Sequence, residues 1–292
     1  WQYSDNITLN TSSTGANVSN DVYDFPVLIR LDNVNFNFGQ AQDNGEDIRF
    51  TGMDGESLPY EIELWDAGSG EAVIWVLVDL IQGDNATQYI TMYWGKDGVE
   101  SQSDPESVFL IDNGTAGVWH LTESEWGEGN DNIYKDATAN HNDGDDHISD
   151  DGKGGVIGRG QEFGGGDDYI DIGRDIDIIS DVSCVSVQAW VNYNSDDFRI
   201  AAMSKNSSSS TLDSRAQVGI DGSGHLYAGG RSTDSESWKA VTSDDYFNSN
   251  EWHHATAVID YYTDNITLYV DGTEQKSATV SFSSNFTPYT TS

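Results

Sequence analysis

The chain has one cysteine, four prolines, three methionines and thirteen Lys+Arg in 292 residues. A single thiol, Cys184, rules out an intrachain disulfide framework, and the strand-like run Val182-Ser183-Cys184-Val185-Ser186-Val187 predicts that it is a small buried hydrophobe. With so few cations there is no basic footprint, so nucleic acid is not a partner, and anionic surfaces would repel the chain. Long apolar runs are missing too. The longest, Ala72-Val73-Ile74-Trp75-Val76-Leu77-Val78, is strand-sized and far short of a membrane span, which excludes direct membrane insertion. No charged and apolar leader precedes Trp1, so the expectation is a removed signal or a piece of a longer polypeptide.

What is present is acid. Fifty Asp+Glu give a formal net charge of −37. Asp outnumbers Glu by 36 to 14 and only six residues are Lys. Such a surface stays soluble in strong brine, where salt screens its self-repulsion. The other reading is a calcium-rich extracellular protein whose Asp side chains are ligands. The two are compatible. Disorder is a poor reading, because 9 Trp, 14 Tyr and 10 Phe can fill cores.

Helical periodicity is almost absent. Short β-rich runs bounded by Gly, Asn, Asp and Ser recur instead, and predict an all-β protein of two β-sandwich domains. In the first half they are Asn6–Leu9, Phe25–Leu31, Asp47–Phe50, Tyr60–Trp65, Ala72–Val78 and Tyr89–Trp94. In the second they are Tyr169–Ile172, Val185–Val191, Arg199–Ser204, Ala216–Ile220, Leu226–Gly229, Trp252–Ile259 and Ile266–Val270. Asp54-Gly55, Asp221-Gly222 and Asp271-Gly272 mark turns between them. The expected division is a first domain over 1–100, a linker over 101–116 and a second domain over 117–292.

Eight sequons, at Asn6, Asn10, Asn17, Asn85, Asn113, Asn206, Asn265 and Asn285, point to a secreted or surface glycoprotein in a host that modifies the motif. A hard-cation site is read in the loop holding Asp136, Asn140, Asn142 and Asp143, with Gly144 for a tight turn and Asp168 completing the shell. The competing reading is a solvated acidic loop. Trp126, Tyr134, Trp238 and Tyr246 sit in loop-like contexts, with Phe247, as candidate ligand-binding platforms.

The second half resembles a laminin-G/concanavalin-like jelly-roll module. The segments that carry the likeness are Gly117-Val118-Trp119-His120-Leu121, Asp136-Ala137-Thr138-Ala139-Asn140-His141-Asn142-Asp143-Gly144, Phe163-Gly164-Gly165-Gly166-Asp167-Asp168-Tyr169-Ile170 and Val185-Ser186-Val187-Gln188-Ala189-Trp190-Val191. The hairpin from Trp252-His253-His254-Ala255 to Leu268-Tyr269-Val270-Asp271-Gly272 closes it. Trp190, Trp252 and Tyr269 read as core residues that specify the fold. The resemblance implies a structural calcium ion in the Asp-rich loop, glycan or a surface protein as partner, and one or two further strands. The chain stops at Ser292, so the jelly roll is expected to lack its last strand, by trimming or because the strand comes from downstream sequence or a neighbouring subunit.

The first half is similar to an uncharacterised β-domain family that commonly precedes such modules in secreted microbial proteins. Its matching segments include Asp24-Phe25-Pro26-Val27-Leu28-Ile29-Arg30-Leu31, Gly45-Glu46-Asp47-Ile48-Arg49-Phe50, Leu58-Pro59-Tyr60-Glu61-Ile62-Glu63-Leu64-Trp65 and Thr91-Met92-Tyr93-Trp94-Gly95.

An enzyme is not expected. Concanavalin-like folds include glucanases, but the laminarinase-type E-x-D-x-x-E signature is missing from 117–292. Glu61 and Glu63 share a strand face about 7 Å apart, within the range of glycosidase carboxyls, yet they lie in the first domain and read as a solvated face. His253 and His254 are adjacent and point to opposite faces. The reading is an extracellular, non-enzymatic adhesion or recognition protein. The alternative is a self-assembling subunit of a surface filament, surface layer or virion fibre.

Overall fold

The computed structural model describes residues 1–123, 130–148, 152–164, 168–172, 182–194, 198–204, 214–233 and 236–284. It divides into two compact units, Trp1–Gly173 and Arg174–Ser292, and it is all-β.

The first unit contains β1 (Tyr3–Thr8), β2 (Val22–Asp32), β3 (Arg49–Thr51), β4 (Ser57–Leu58), β5 (Tyr60–Asp66), β6 (Glu71–Ile81) and β7 (Tyr89–Trp94). Four short strands follow, β8 (Asp145–His147), β9 (Gly152–Gly154), β10 (Arg159–Gln161) and β11 (Tyr169–Asp171). A sheet in the order β1-β7-β3-β4 and another in the order β2-β6-β5 enclose the core, while β8 pairs with β11 and β9 with β10. Strand β7 shows the rule for a sheet with one buried face: Ile90, Met92 and Trp94 point inward and the residues between them do not. They meet Ile29, Leu31, Ile48, Phe50, Tyr60, Ile74 and Val76. Asp47, fully buried, ties the loops together: its carboxylate accepts the N–H groups of Gln42 (2.8 Å), Gly95 (2.6 Å) and Lys96 (2.9 Å).

Strand β6 is different. Its run of apolar residues is unbroken because both faces are covered. Ile74, Val76 and Val78 enter the core just described, whereas Leu77 meets Val108, Phe109 and Ala137, with Trp75, Leu110 and Val118 packed around them. The segment 101–116 is therefore no linker. Val108 is fully buried, and the Asp104 N–H donates to the Tyr60 carbonyl at 2.8 Å. Apolar residues on the second face of β6 needed a cover, and this segment supplies it. The stretch 117–172 belongs to the same compact unit, which places the division near 173 rather than before 117.

The second unit holds β12 (Cys184–Asn192), β13 (Phe198–Ser204), β14 (Ser214–Ile220), β15 (Leu226–Gly230), β16 (Lys239–Thr242), β17 (Trp252–Asp260), β18 (Asn265–Val270) and β19 (Thr273–Thr279). One sheet runs β12-β17-β18-β19 and the other β13-β14-β15-β16, all antiparallel. After β12 the chain builds the whole of the second sheet before returning to pair β17 beside β12, which interlocks the two layers. Ala216, Val218, Ile220, Leu226, Ala228, Ala255, Ala257, Ile259, Ile266 and Leu268 fill the space between them and are fully buried. The β18–β19 hairpin turns on Asp271 (φ 51°) and Gly272 (φ 76°), both left-handed as a two-residue turn of this type requires. Cys184 is exposed. Val185 takes the inward position, so by alternation its neighbour faces out. Burial of part of the thiol and the Asp260 charge push its pKa up.

Past β19, Val280 and Phe282 pack on the core, the Phe282 ring 4.8 Å from Tyr261. The expectation of a missing last strand falls on 285–292, outside the described residues.

Candidate functional site

Strand β12 reads Cys-Val-Ser-Val-Gln-Ala-Trp-Val-Asn, and period-two alternation sends Val185, Val187 and Val191 to the core side. Ser186, Gln188, Trp190 and Asn192 go to the other face and are exposed. Nine consecutive pairs align β12 with β17, with Gln188 opposite Thr256, Trp190 opposite His254 and Asn192 opposite Trp252. Trp190 and Trp252 are thus diagonal neighbours on adjacent strands. They are 43% and 37% exposed, and the His254 ring lies 5.2 Å from Trp190 at an interplanar angle of 59°. Both tryptophans were expected in the core; the sheet presents them on its outer face among amide side chains. For Trp190 the signal was legible: in β12 it shares its parity with Ser186, Gln188 and Asn192, not with the valines.

Burial lowers the His254 pKa against an opposing pull from Asp271, so the imidazole beside Trp190 is neutral at neutral pH. Asp271 anchors the end of this face. It accepts the His254 N–H at 2.8 Å and contacts His253 Nδ1 at 2.9 Å on the opposite side of the strand. Burial alone would raise its pKa, but those hydrogen bonds and the histidine charges hold it below the usual carboxylate value.

The platforms expected from sequence separate. Tyr134 is buried, 1% exposed, with its hydroxyl donating to Asp146 Oδ1 at 3.2 Å, so it offers no face to a ligand. Trp238 and Tyr246 are exposed; the Tyr246 ring lies 4.1 Å from that of His225, and Phe247 packs against the core. Trp126 lies outside the described residues.

The Asp-rich loop does not offer open ligands. Asp136 Oδ1 accepts the N–H groups of Val118 and Thr138 and the Thr138 hydroxyl, at 3.0, 3.0 and 2.9 Å. Its Oδ2 accepts the Asn142 N–H at 3.0 Å. Asp143 takes the Asp136 N–H and the Lys135 ammonium, Asn140 donates to the Ala116 carbonyl, and Asp168 accepts the Gly164 N–H. Four donors aimed at one carboxylate stabilise the turn. Among the described residues no three His, Cys, Asp or Glu side chains group as a metal site.

Glu61 and Glu63 are not solvated. A bulge between Ile62 and Leu64 displaces Glu63 from the β5–β6 ladder, and both carboxylates converge on His120. His120 Nε2 is 2.9 Å from Glu61 Oε2, and Nδ1 is 3.4 Å from Glu63 Oε2. Trp75 Nε1–H donates to the same Glu63 oxygen at 2.6 Å and its ring stacks on His120. The Phe109 ring packs against both, 5.5 Å from His120 and 5.7 Å from Trp75. Desolvation raises the Glu63 pKa although His120 and Trp75 oppose it. For His120 burial pulls the pKa down, but the Glu61 hydrogen bond and the charges of Glu61, Glu63 and Glu123 outweigh it and leave it raised. This buried cluster joins His120 to β5 and β6; it has no open side for a substrate.

Among the described sequons, Asn6, Asn17 and Asn113 are exposed. Asn85 and Asn265 are half-buried with their amides hydrogen-bonded, and Asn10 accepts from Ser12. Asn206 and Asn285 lie outside the described residues.

The chain is all-β, and its second unit is a sandwich of two antiparallel sheets. Residues 164–292 match the family model of the concanavalin A-like lectin/glucanases superfamily. Residues 44–128 match that of a domain of unknown function, DUF2341, a span that takes in Phe109 and His120. No curated relative matches the chain. Among solved structures, an S-layer domain-containing protein of Clostridium thermocellum (residues 221–444) is similar at 18% identity and a TM-score of 0.35, over 56% of this chain and 72% of that one. An assumed carbohydrate-binding protein of Bacteroides ovatus is similar at 11% identity and a TM-score of 0.28, over 97% of this chain and 66% of that one. Among the described residues no helix is long and apolar enough to cross a membrane.

Proposed function

We propose that this chain is a non-catalytic recognition protein of a cell or particle surface, and that its second unit binds glycan on the outer face of β12 and β17. The observation that carries the reading is the pair Trp190 and Trp252, half-exposed side by side on a regular antiparallel ladder, with Gln188, Asn192 and neutral His254 around them. A sugar ring presents C–H groups that stack on indole faces and hydroxyls that need donors and acceptors. This face supplies both, and strands hold it rigidly. The matched superfamily contains lectins as well as glucanases. The acid pair in β5 is closed by His120 and Trp75 instead of facing a cleft.

The test is a glycan array probed with the full chain, followed by calorimetric titration of the best sugar. Trp190→Ala and Trp252→Ala each weaken binding about tenfold or more, the loss of one aromatic stacking contact with its buried area. Trp238→Ala and Tyr246→Ala leave it unchanged. The reverse pattern would move the platform to the other sheet. The competing role, assembly by strand exchange, would use the edge strand β19, but its sequence Thr-Glu-Gln-Lys-Ser-Ala-Thr carries charges that discourage such pairing.

A further inference from the structure

Strand β17 is not supported evenly along its length. Residues 255–260 pair with β18 on one side and β12 on the other, whereas among the described residues Trp252, His253 and His254 pair with β12 alone. Asp271, in the β18–β19 turn, takes the place of the missing neighbour. Its N–H donates to the His254 carbonyl at 2.9 Å, and its Oδ1 accepts the His254 N–H at 2.8 Å. Backbone and side chain together give His254 both halves of a ladder pair. The left-handed φ of 51° at this residue is one that Asp and Asn accept more readily than most side chains. The other oxygen, Oδ2, meets His253 Nδ1 at 2.9 Å on the opposite side of the strand. His253 Nε2 is buried and, among the described residues, has no hydrogen-bond partner; its ring stands at 72° to that of Phe247, 5.1 Å away. An unpaired buried nitrogen opposes stability, and an apolar ring at this position would remove that cost. What the imidazole supplies is the contact to Asp271 through its other nitrogen.

These contacts bear on the outer face, because the strand end they hold carries Trp252 and His254 beside Trp190. A strand end with one neighbour opens more easily than the strand behind it, and a binding surface made of two indoles needs both held in place. We propose that Asp271, braced by His253, is the positioning residue of this face: it substitutes for a strand beside residues 252–254 and keeps Trp252 aligned with Trp190 for a sugar. The proposal rests on the reading of Trp190 and Trp252 as a glycan platform. In this role Asp271 and His253 act through β17 and not by contact with the sugar.

The test puts variants of the full chain on the glycan array and follows hydrogen exchange by mass spectrometry in the sugar-free protein. Asp271→Gly keeps the left-handed turn and the backbone N–H but deletes the carboxylate. The expected result is faster exchange at 252–254 with 255–260 unchanged, and half-saturation of the array at about tenfold or more higher protein concentration. Asp271→Asn still offers an oxygen to the His254 N–H and accepts the same φ, so it binds within about threefold of wild type. His253→Phe removes the unpaired nitrogen. It melts no lower than wild type yet binds about threefold more weakly, a split that a purely structural role would not produce. Wild-type binding by Asp271→Gly, while Trp190→Ala and Trp252→Ala have lost theirs, would overturn the positioning role and leave the platform standing. If the two tryptophan variants bind like the wild type, the platform itself fails and this role with it. A loss in Asp271→Asn as deep as in Asp271→Gly, with both melting temperatures falling together, would also overturn the proposal, because the turn would then serve folding alone.

Discussion

Replacing His120 with alanine probes the least expected feature of the first unit. In the native protein the imidazole lies between two carboxylates whose side chains are only 11% and 2% exposed, and 13% of its own side chain reaches solvent. Removing it leaves Glu61 and Glu63 facing each other with only the charge of Arg30 acting on Glu63, and strips the stack from Trp75. Breaking a buried ion pair from one side costs about 3–5 kcal/mol. In a unit of this size each kcal/mol shifts the melting temperature by about 2–4 °C, so the expected fall is about 6–20 °C. The loss depends on pH with a definite sign. The folded pKa of His120 is raised above its ordinary 6.5, so its stabilisation is complete below that value and disappears as pH rises through the folded one. Glu63, raised from 4.5 by burial, acts in the same direction: the stability from its protonated form is lost as pH rises. Melts of wild type and His120→Ala between about pH 5 and pH 9 should converge toward the alkaline end. Glu63→Gln keeps an acceptor for Trp75 and removes a disfavoured charge, so its cost is below about 1 kcal/mol. A gap between wild type and His120→Ala that is constant across this range, or smaller than about 1 kcal/mol, would refute the ion-pair account.

Two further outcomes follow from the fold. Asp47→Ala leaves three N–H groups, of Gln42, Gly95 and Lys96, without their buried acceptor; the expected loss is about 3–5 kcal/mol in chemical denaturation, with refolding at wild-type stability contradicting it. The charge of −37 predicts a melting temperature that climbs as sodium chloride rises from about 0.1 M, where the screening length is about 10 Å, to about 1 M, where it is about 3 Å. A flat salt profile would show that the acidic residues are balanced locally.

Much of the β-structure was legible because strands advertise themselves by alternation and by turn residues. Tyr89–Trp94 was read with its final boundaries, and the Asp271-Gly272 turn by its chemistry. The strands that escaped, such as β9, β16 and β19, are polar or glycine-rich and carry no apolar period. The site was less legible. Glu61 and Glu63 were read as solvated because nothing local reveals that a histidine nearly sixty residues away neutralises them. Tyr134 looked like a loop aromatic, yet Asp146 and Gln161 draw its hydroxyl inward.

The composition alone determined the acidic surface and the lack of a disulfide framework, because those depend on residue counts. Local pattern determined the all-β character, because pleat and turn preferences act over a few residues. Tertiary structure decided which side of β6 the segment 101–116 covers, that Trp190 and Trp252 stand outside, and that Asp271 takes the place of a strand beside His254. Each of those depends on which distant strand a residue meets, and neighbours along the chain do not encode it.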